Sequence, residues 1–272
     1  MLNIDEQKCT GCAICTKVCP VGVLEIDYET HKAAVIPENA DKCFLCGQCE
    51  AHCPDSAIEV TFESGSTYEG ELDSKKITPE QIAHHMTSRR SVRNFKTTEV
   101  TREDIEALIE IVRFAPTGMN TQAVKWLIVH NKETMQKIED LFCEWATHTL
   151  STDKNFPMRD LVKHIMNEME AENDLFFRDA PHLAIAYTPS NNSGASIDAA
   201  IAATYFELAA PTFEIGTCWA GFFMLFAPYI KKLPEAIGVP EDCEIQTAIM
   251  FGHPMYPTYQ IPKRSKSDLI WS

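Results

Sequence analysis

Apolar positions along the chain fall into two patterns that meet near residue 78. Before that point only two short apolar runs stand out, and both predict strands: Val23–Ile26 and Ile58–Phe62. After it, apolar residues recur at helical spacing or in strand-length runs. The predicted helices are Thr78–Ser88, Thr101–Pro116, residues 157–172 and Ile197–Ala210, and the predicted strands are Val124–His130, Leu183–Thr188 and Ile245–Phe251. The pattern therefore predicts an α+β fold.

A polar stretch separates the two patterns. Residues 63–77 contain two glycines and no apolar period, so they are predicted to be a linker. The predicted domains are residues 1–62 and 78–272. The longest uncharged apolar stretch, Ile215–Ile230, has 16 residues and includes two glycines and a proline. A membrane helix needs about 20 residues, so no membrane association is expected.

Charge and cysteine usage narrow the function classes. The net charge is −15, from 39 acidic and 24 basic side chains, so nucleic-acid binding and docking on an anionic membrane are disfavoured. Residues 1–88 hold 15 of the acidic and 6 of the basic side chains. Eight of the 11 cysteines lie between Cys9 and Cys53, behind a start that does not look like a secretion signal. These observations predict a cytoplasmic protein whose cysteines bind metal rather than form disulfides.

The eight clustered cysteines form an internal repeat. Each half has two residues between its first three cysteines, then three residues, then a fourth cysteine followed by proline. The offset is 34 residues, and it also relates Lys8 to Lys42 and Glu25 to Glu59. Three closely spaced thiolates can wrap one iron–sulfur cubane, and the fourth, before proline, points to a second cluster. Structural zinc is the alternative, but zinc sites with four cysteine ligands use two separated pairs of cysteines.

The repeat resembles bacterial ferredoxins with two [4Fe–4S] clusters. The resemblance implies that the fourth cysteine of each half ligates the cluster of the other half. The first cluster is then expected on Cys9, Cys12, Cys15 and Cys53, and the second on Cys43, Cys46, Cys49 and Cys19.

Three further motifs after residue 78 have residue types suited to binding a cofactor. The donors of Arg89-Arg90-Ser91-Val92-Arg93 can converge on a phosphate, although a basic helix end or an interdomain contact would look the same. The segment Pro116–Gln122 is rich in small and amide side chains and is also compatible with an ordinary turn. Gly216–Phe222 would allow close backbone approach to a ligand, or would cap a helix and pack in the core.

Together and in this order, these motifs resemble the nitroreductase family of FMN-dependent oxidoreductases. The resemblance covers roughly residues 80–272 and includes the basic Pro262-Lys263-Arg264 near the C-terminus. It implies that FMN is bound by three sets of residues: Arg89, Arg90, Ser91, Arg93, Lys263 and Arg264 around the phosphate, ribityl chain and ring edge; Pro116, Thr117, Gly118 and Asn120 lining the flavin; and Ala220 and Gly221 offering backbone N–H groups. Gly118 and Ala123-Val124 depart from the usual family turn.

The two resemblances together imply an iron–sulfur flavoprotein. We expect an FMN-dependent oxidoreductase that passes electrons between two [4Fe–4S] clusters and FMN to reduce a small organic acceptor, such as a nitro compound, a quinone or a flavin. No separate catalytic residue is expected, because the flavin carries the chemistry. The family implies a homodimer, and the external donor is NAD(P)H or reduced ferredoxin. The alternative is an electron carrier, or a flavoprotein that passes electrons from NAD(P)H to ferredoxin, with no dedicated organic substrate.

Overall fold

The structure, a computed structural model, describes residues 1–62 and 76–272. The chain divides into two units. The first unit is Met1–Lys76 together with Gly118–Thr121, and the second is Ile77–Thr117 together with Gln122–Ser272. Residues 63–75 of the predicted linker lie outside the described residues. The sequence did not predict that Gly118–Thr121 would group with the first unit.

Short elements build the first unit. In chain order they are β1 (Leu2–Ile4), α1 (Ile14–Val18), β2 (Leu24–Ile26), β3 (Ala33–Val35), α2 (Gln48–Ala51) and β4 (Ile58–Val60). Strands β1 and β4 form one antiparallel pair, and β2 and β3 form another. Cysteines and aliphatic side chains share the core: Cys9, Cys15, Val23, Leu24, Ala33, Cys49, Ala57 and Ile58. A unit with so few apolar side chains needs a metal or other cross-link for stability.

The repeat in the sequence is also visible in the backbone of the first unit. Gly11 has φ +73° and its counterpart 34 residues later, Leu45, has φ +52°. Ala13 and its counterpart Gly47 have φ +61° and +71°. The left-handed conformation therefore recurs at equivalent positions in both halves, even though glycine occupies only one position of each pair.

Helices surround an antiparallel sheet in the second unit. In chain order the elements are α3 (Pro79–Ser88), α4 (Arg102–Val112), β5 (Lys125–Val129), α5 (Lys132–Thr152), α6 (Arg159–Glu170), β6 (His182–Pro189), α7 (Ala195–Ala209), β7 (Gly216–Trp219), α8 (Gly221–Phe226), α9 (Leu233–Ile237) and β8 (Cys243–Gly252). The strand order is β5-β6-β8-β7, and every neighbouring pair is antiparallel.

Local side-chain bonds begin several helices of the second unit. The hydroxyl of Thr78 accepts from the backbone N–H of Gln81, and the Gln81 side chain accepts from the Thr78 N–H, which makes a capping box for α3. Thr101 accepts from the Asp104 N–H at the start of α4. Asn131 accepts from the Thr134 N–H at the start of α5. Each cap satisfies a backbone donor that the helix itself leaves free.

The central strand β6 is buried on both faces. Its Leu183 and Ile185 belong to a core formed with α5 and α6, whereas Ala184 belongs to a core formed with α4 and α7. This alternation follows from the two-residue period of a strand. The sheet and its two helical layers form the α+β domain that the sequence predicted.

Two elements differ from the expectations. Gly216–Trp219, predicted as a connecting loop, is the edge strand β7 of the sheet. The 21-residue helix α5 was not predicted. Among the described residues, no helix has the length and apolar content that crossing a membrane requires.

Candidate functional site

Four predicted iron–sulfur ligands line one cavity in the first unit. Cys9, Cys12, Cys15 and Cys53 face a small space of about 20 Å³ that Ile26, Ala33 and Ile58 also line. Three of these thiols come from one half of the repeat and the fourth from the other half. The structure thus brings together the set expected for the first cluster, including the exchanged fourth cysteine, and gives it apolar walls.

Backbone N–H groups point at several of the sulfurs. The Ala33 N–H donates to Cys9 Sγ at 3.4 Å, and the Ala57 N–H donates to Cys53 Sγ at 3.2 Å. The Val23 N–H donates to Cys19 Sγ at 3.4 Å. Hydrogen bonds to a thiolate favour its charged form, and such bonds tune iron–sulfur clusters.

Three of the expected ligands of the second cluster are also neighbours. Burial raises the pKa of Cys49 to about 11, and the nearby Cys43 and Cys46 add to that rise. Three thiolates would repel one another there without cations, so this environment suits a positively charged iron core. Cys19, the fourth expected ligand of this set, accepts the hydrogen bond from Val23. In the described ranges no group of three or more His, Cys, Asp or Glu side chains could hold a single metal ion.

A basic cavity lies in the second unit. Its volume is about 400 Å³. Arg89 and Arg90 enter it from the end of α3, and Lys96 joins them. The apolar part of the wall includes Val92 and Ile215. Cations beside an apolar wall suit a phosphate carried on an organic group, so the cavity fits the phosphate end of FMN.

Both arginines in the cavity already have protein partners. Arg89 Nη1 lies 3.0 Å from Oε1 of the buried Glu207 on α7. Arg90 donates to the carbonyls of Thr87 and Ser88 at the end of α3. These contacts hold the planar guanidinium groups in place. A fixed fork loses less side-chain entropy when it binds an anion.

Ser91 and Arg93 lie beside β7 and do not line the basic cavity. Ser91 pairs with Thr217 through an isolated parallel bridge. The Arg93 guanidinium donates to the Ser91 carbonyl at 3.4 Å. Burial raises the pKa of the Cys218 thiol, and Arg93 and Ser91 oppose that rise. The segment Ser91–Arg93 is therefore fixed against the strand that carries the third sequence motif.

The third motif ends at the junction of β7 and α8. The Ala220 N–H donates to the Ala248 carbonyl at 2.9 Å, so it is already used inside the sheet. This corrects the expectation that Ala220 offers a free N–H to the flavin. Gly221 is exposed, and a Cβ placed on it would have no atom within 4 Å. The backbone is therefore open to a ligand at Gly221.

The structure splits the predicted flavin-lining turn. Pro116 is exposed, and Thr117 lines a second cavity of about 360 Å³ with Gln122 and Trp126. Gly118 and Asn120 belong to the first unit, where the Asn120 amide is bonded to backbone carbonyls.

Lys263 and Arg264 lie exposed in the chain that follows β8. The sequence did not predict that Lys96 lines the basic cavity. Its signal is tertiary: the Lys96 N–H donates to the His253 carbonyl, and Phe95 bridges to Pro254.

Two family models match the chain. The model described as "Nitroreductase family" matches residues 86–253, and the model described as "4Fe-4S dicluster domain" matches residues 8–57. The first match covers more than half of the chain and the second covers both halves of the cysteine repeat.

Individual proteins are more distant. An iodotyrosine deiodinase of Thermotoga neapolitana is 22% identical over 67% of this chain and 91% of its own length. The nitroreductase NfnB of Mycolicibacterium smegmatis is 27% identical over 61% of this chain and 79% of its own. A nitroreductase with bound FMN from Bacteroides fragilis has a similar fold, with a TM-score of 0.56, 22% identity and coverage of 70% of this chain and 97% of that one. The chain belongs to the nitroreductase family, and a 4Fe–4S dicluster domain precedes its nitroreductase domain.

Proposed function

We propose that this chain is an FMN-dependent oxidoreductase in which two [4Fe–4S] clusters exchange electrons with FMN and a small organic acceptor is reduced. The observation that carries the proposal is the cavity lined by Cys9, Cys12, Cys15 and Cys53, present in one chain with a nitroreductase domain. Relatives described as nitroreductases, among them one with bound FMN, support the flavin. When bound, the clusters supply single electrons and FMN can collect two.

Cysteine side chains of the first unit would hold the clusters. Cys9, Cys12, Cys15 and Cys53 bind the first, and Cys43, Cys46, Cys49 and Cys19 bind the second. The apolar residues around the first set exclude water, which together with the N–H groups on the sulfurs sets the ease of reduction.

Basic and backbone groups of the second unit would hold FMN. Arg89 and Arg90 bind the phosphate, with Lys96 lining the same cavity. Arg93 supplies positive charge near the ring edge, where it favours the reduced flavin. Gly221 offers an open backbone to the ring, and Ser91, Pro116, Thr117, Gly118, Ala220, Lys263 and Arg264 keep the binding roles that the family implies.

The active form is proposed to be a homodimer. Helix α7 is almost uncharged, and its Ile197 is 67% exposed and its Tyr205 38% exposed in one chain. A partner subunit that covers these side chains would remove them from water. An external donor, NAD(P)H or reduced ferredoxin, supplies the electrons.

One anaerobic experiment tests the proposed function. The purified holoprotein is given NADH, NADPH and reduced ferredoxin in turn, and flavin and cluster absorbance are followed before and after an oxidisable quinone or nitroaromatic compound is added. We expect stoichiometric FMN, reduction by at least one donor, and repeated turnover with the organic acceptor. Reduction without turnover of any acceptor would instead identify an electron carrier. A colourless protein without flavin or iron would exclude both functions.

A further inference from the structure

The amide of Asn120 is bonded to the loop between two of the expected cluster ligands. Its Nδ2 donates to the carbonyls of Phe44 and Leu45, each at 3.0 Å. Both acceptors lie in the segment Cys43-Phe44-Leu45-Cys46, and Gly118–Thr121 groups with this unit. One side chain thus satisfies two consecutive carbonyls of a four-residue loop.

The loop that accepts these bonds is strained. Leu45 has φ +52°, a left-handed conformation that costs a non-glycine residue about 1–2 kcal/mol. The counterpart of Leu45 in the first half of the repeat is Gly11, which adopts its φ of +73° without that cost. A strained residue persists only where its surroundings fix it. The second half therefore has leucine plus two bonds from Asn120 where the first half has glycine.

The donor is itself suited to this geometry. Asn120 has φ +52°, and asparagine is one of the few residues that enter the left-handed region readily. Met119 before it has φ +49°. The conformation of the turn therefore directs the amide, and the amide fixes the loop.

We propose that Asn120 is a positioning residue for the second cluster: it fixes Phe44 and Leu45 and thereby orients Cys46, whose backbone nitrogen is covalently bonded to the Leu45 carbonyl carbon. The proposal rests on the proposed function, because only there are Cys43 and Cys46 ligands of a cluster. It gives Asn120 a partner other than the flavin, which the family resemblance implied. It also links the loop of the second cluster to a turn expected to line the flavin.

The test uses an isosteric variant. Asn120→Asp keeps the volume and the left-handed preference, but its carboxylate has no donor and faces two carbonyl oxygens. The matched control is Asn3→Asp, which makes the same amide-to-carboxylate change at an exposed position on β1 of the same unit. Both variants are prepared as anaerobic holoprotein with measured iron and FMN content.

Two measurements are made on each protein. Hydrogen exchange reports the order of the Cys43–Cys46 loop, and an EPR-monitored redox titration reports the clusters. Two lost hydrogen bonds of about 1 kcal/mol each should speed exchange in this loop at least about tenfold in Asn120→Asp. One cluster, identified by the signal that Cys46→Ser removes, should change its EPR signature and become harder to reduce. Asn3→Asp should leave both readouts at the wild-type values.

Other outcomes are equally decisive. Unchanged exchange and EPR signals, with loss of FMN from Asn120→Asp, would overturn the proposal and assign Asn120 to the flavin. A wild-type protein without a second cluster would refute the proposed function, while the exchange measurement would still decide whether Asn120 holds the loop. If Asn120→Asp loads clusters poorly, adding Leu45→Gly should restore exchange protection, because glycine removes the strain. Failure of that rescue would count against the proposal.

Discussion

Arg89 shows how a residue predicted for one role can have a second. The sequence places it in a basic cluster suited to an anion, and the structure also gives it the partner Glu207, which is only 8% exposed. That partner lies 118 positions away on α7. Spacing within a motif cannot reveal it, because the contact depends on how α3 and α7 pack.

Loss of Arg89 should therefore affect stability as well as anion binding. Arg89→Ala leaves the Glu207 carboxylate buried without its cation, and we expect the free energy of unfolding to fall by about 1.5–3 kcal/mol. Chemical denaturation measures the change. Arg90→Ala is the control, because Arg90 bonds only exposed or half-buried carbonyls at the helix end. Equal losses in both variants would contradict this role, and Arg89→Met with Glu207→Met should recover most of the loss.

His182 is a buried histidine that lies outside every predicted motif. It is fully buried, its Nε2 accepts from the Val100 N–H at 3.0 Å, and its ring stacks on His130 with centroids 4.4 Å apart. Burial, and secondarily His130, lowers the pKa of His182 to about 4. Its Nδ1 has no hydrogen-bond partner among the described residues. The native state therefore holds this ring neutral.

Stability should consequently fall in acid through His182. The unfolded ring has an ordinary pKa near 6.5, so the unfolded state binds the proton first as the pH falls, and stability is lost between about pH 6.5 and pH 4. The loss reaches at most about 3 kcal/mol at the lower end. Denaturation of His182→Gln and wild type across this range should show a shallower slope for the variant. His164→Gln, at an exposed position on α6, should keep the wild-type slope; equal slopes in all three proteins would refute the assignment.

At the scale of elements, most helices and strands could be predicted. Helix α3 begins where Thr78-Pro79 indicated, and β6 and β8 contain the apolar runs that predicted them. Helix α5 was missed although its apolar residues recur every three or four positions. That signal was present in the sequence. Strand β7 is different, since four residues are too few to show a period and only pairing with β8 makes them a strand.

The edge strand β7 has two glycines nearby with opposite tolerance to substitution. A Cβ on Gly216 would lie 2.6 Å from Val92 Cγ2 and 2.9 Å from Pro254 Cγ, whereas one on Gly221 meets open space. Gly216→Ala should therefore lower the free energy of unfolding by about 1–3 kcal/mol, and Gly221→Ala by far less. Thermal or chemical denaturation of the two variants distinguishes them. Similar losses would mean that close packing does not explain the glycine at position 216.

At the scale of the whole molecule, the cysteine site could be predicted more fully than the flavin site. Iron–sulfur ligands are close in sequence and repeated, so spacing alone predicted the four thiols that share one cavity. The flavin residues come from distant segments. The sequence could not show that Lys96 shares a cavity with Arg89, or that Asn120 bonds Phe44 and Leu45, because each contact depends on packing of separate parts of the chain.

Electron exchange between the clusters and the flavin is the central claim, and Cys12→Ser tests it most directly. Cys12 is an exposed member of the first cysteine set, and only a thiolate is a good ligand there. The matched control is Cys143→Ser on α5, outside that cavity. The measurement is anaerobic stopped-flow absorbance of the holoproteins after mixing with a one-electron donor or with NAD(P)H. We predict that Cys12→Ser loses flavin reduction by the one-electron donor but retains any direct reduction by NAD(P)H, and that Cys143→Ser behaves as wild type. Unchanged flavin reduction by the one-electron donor in Cys12→Ser, despite lost cluster iron, would contradict the account.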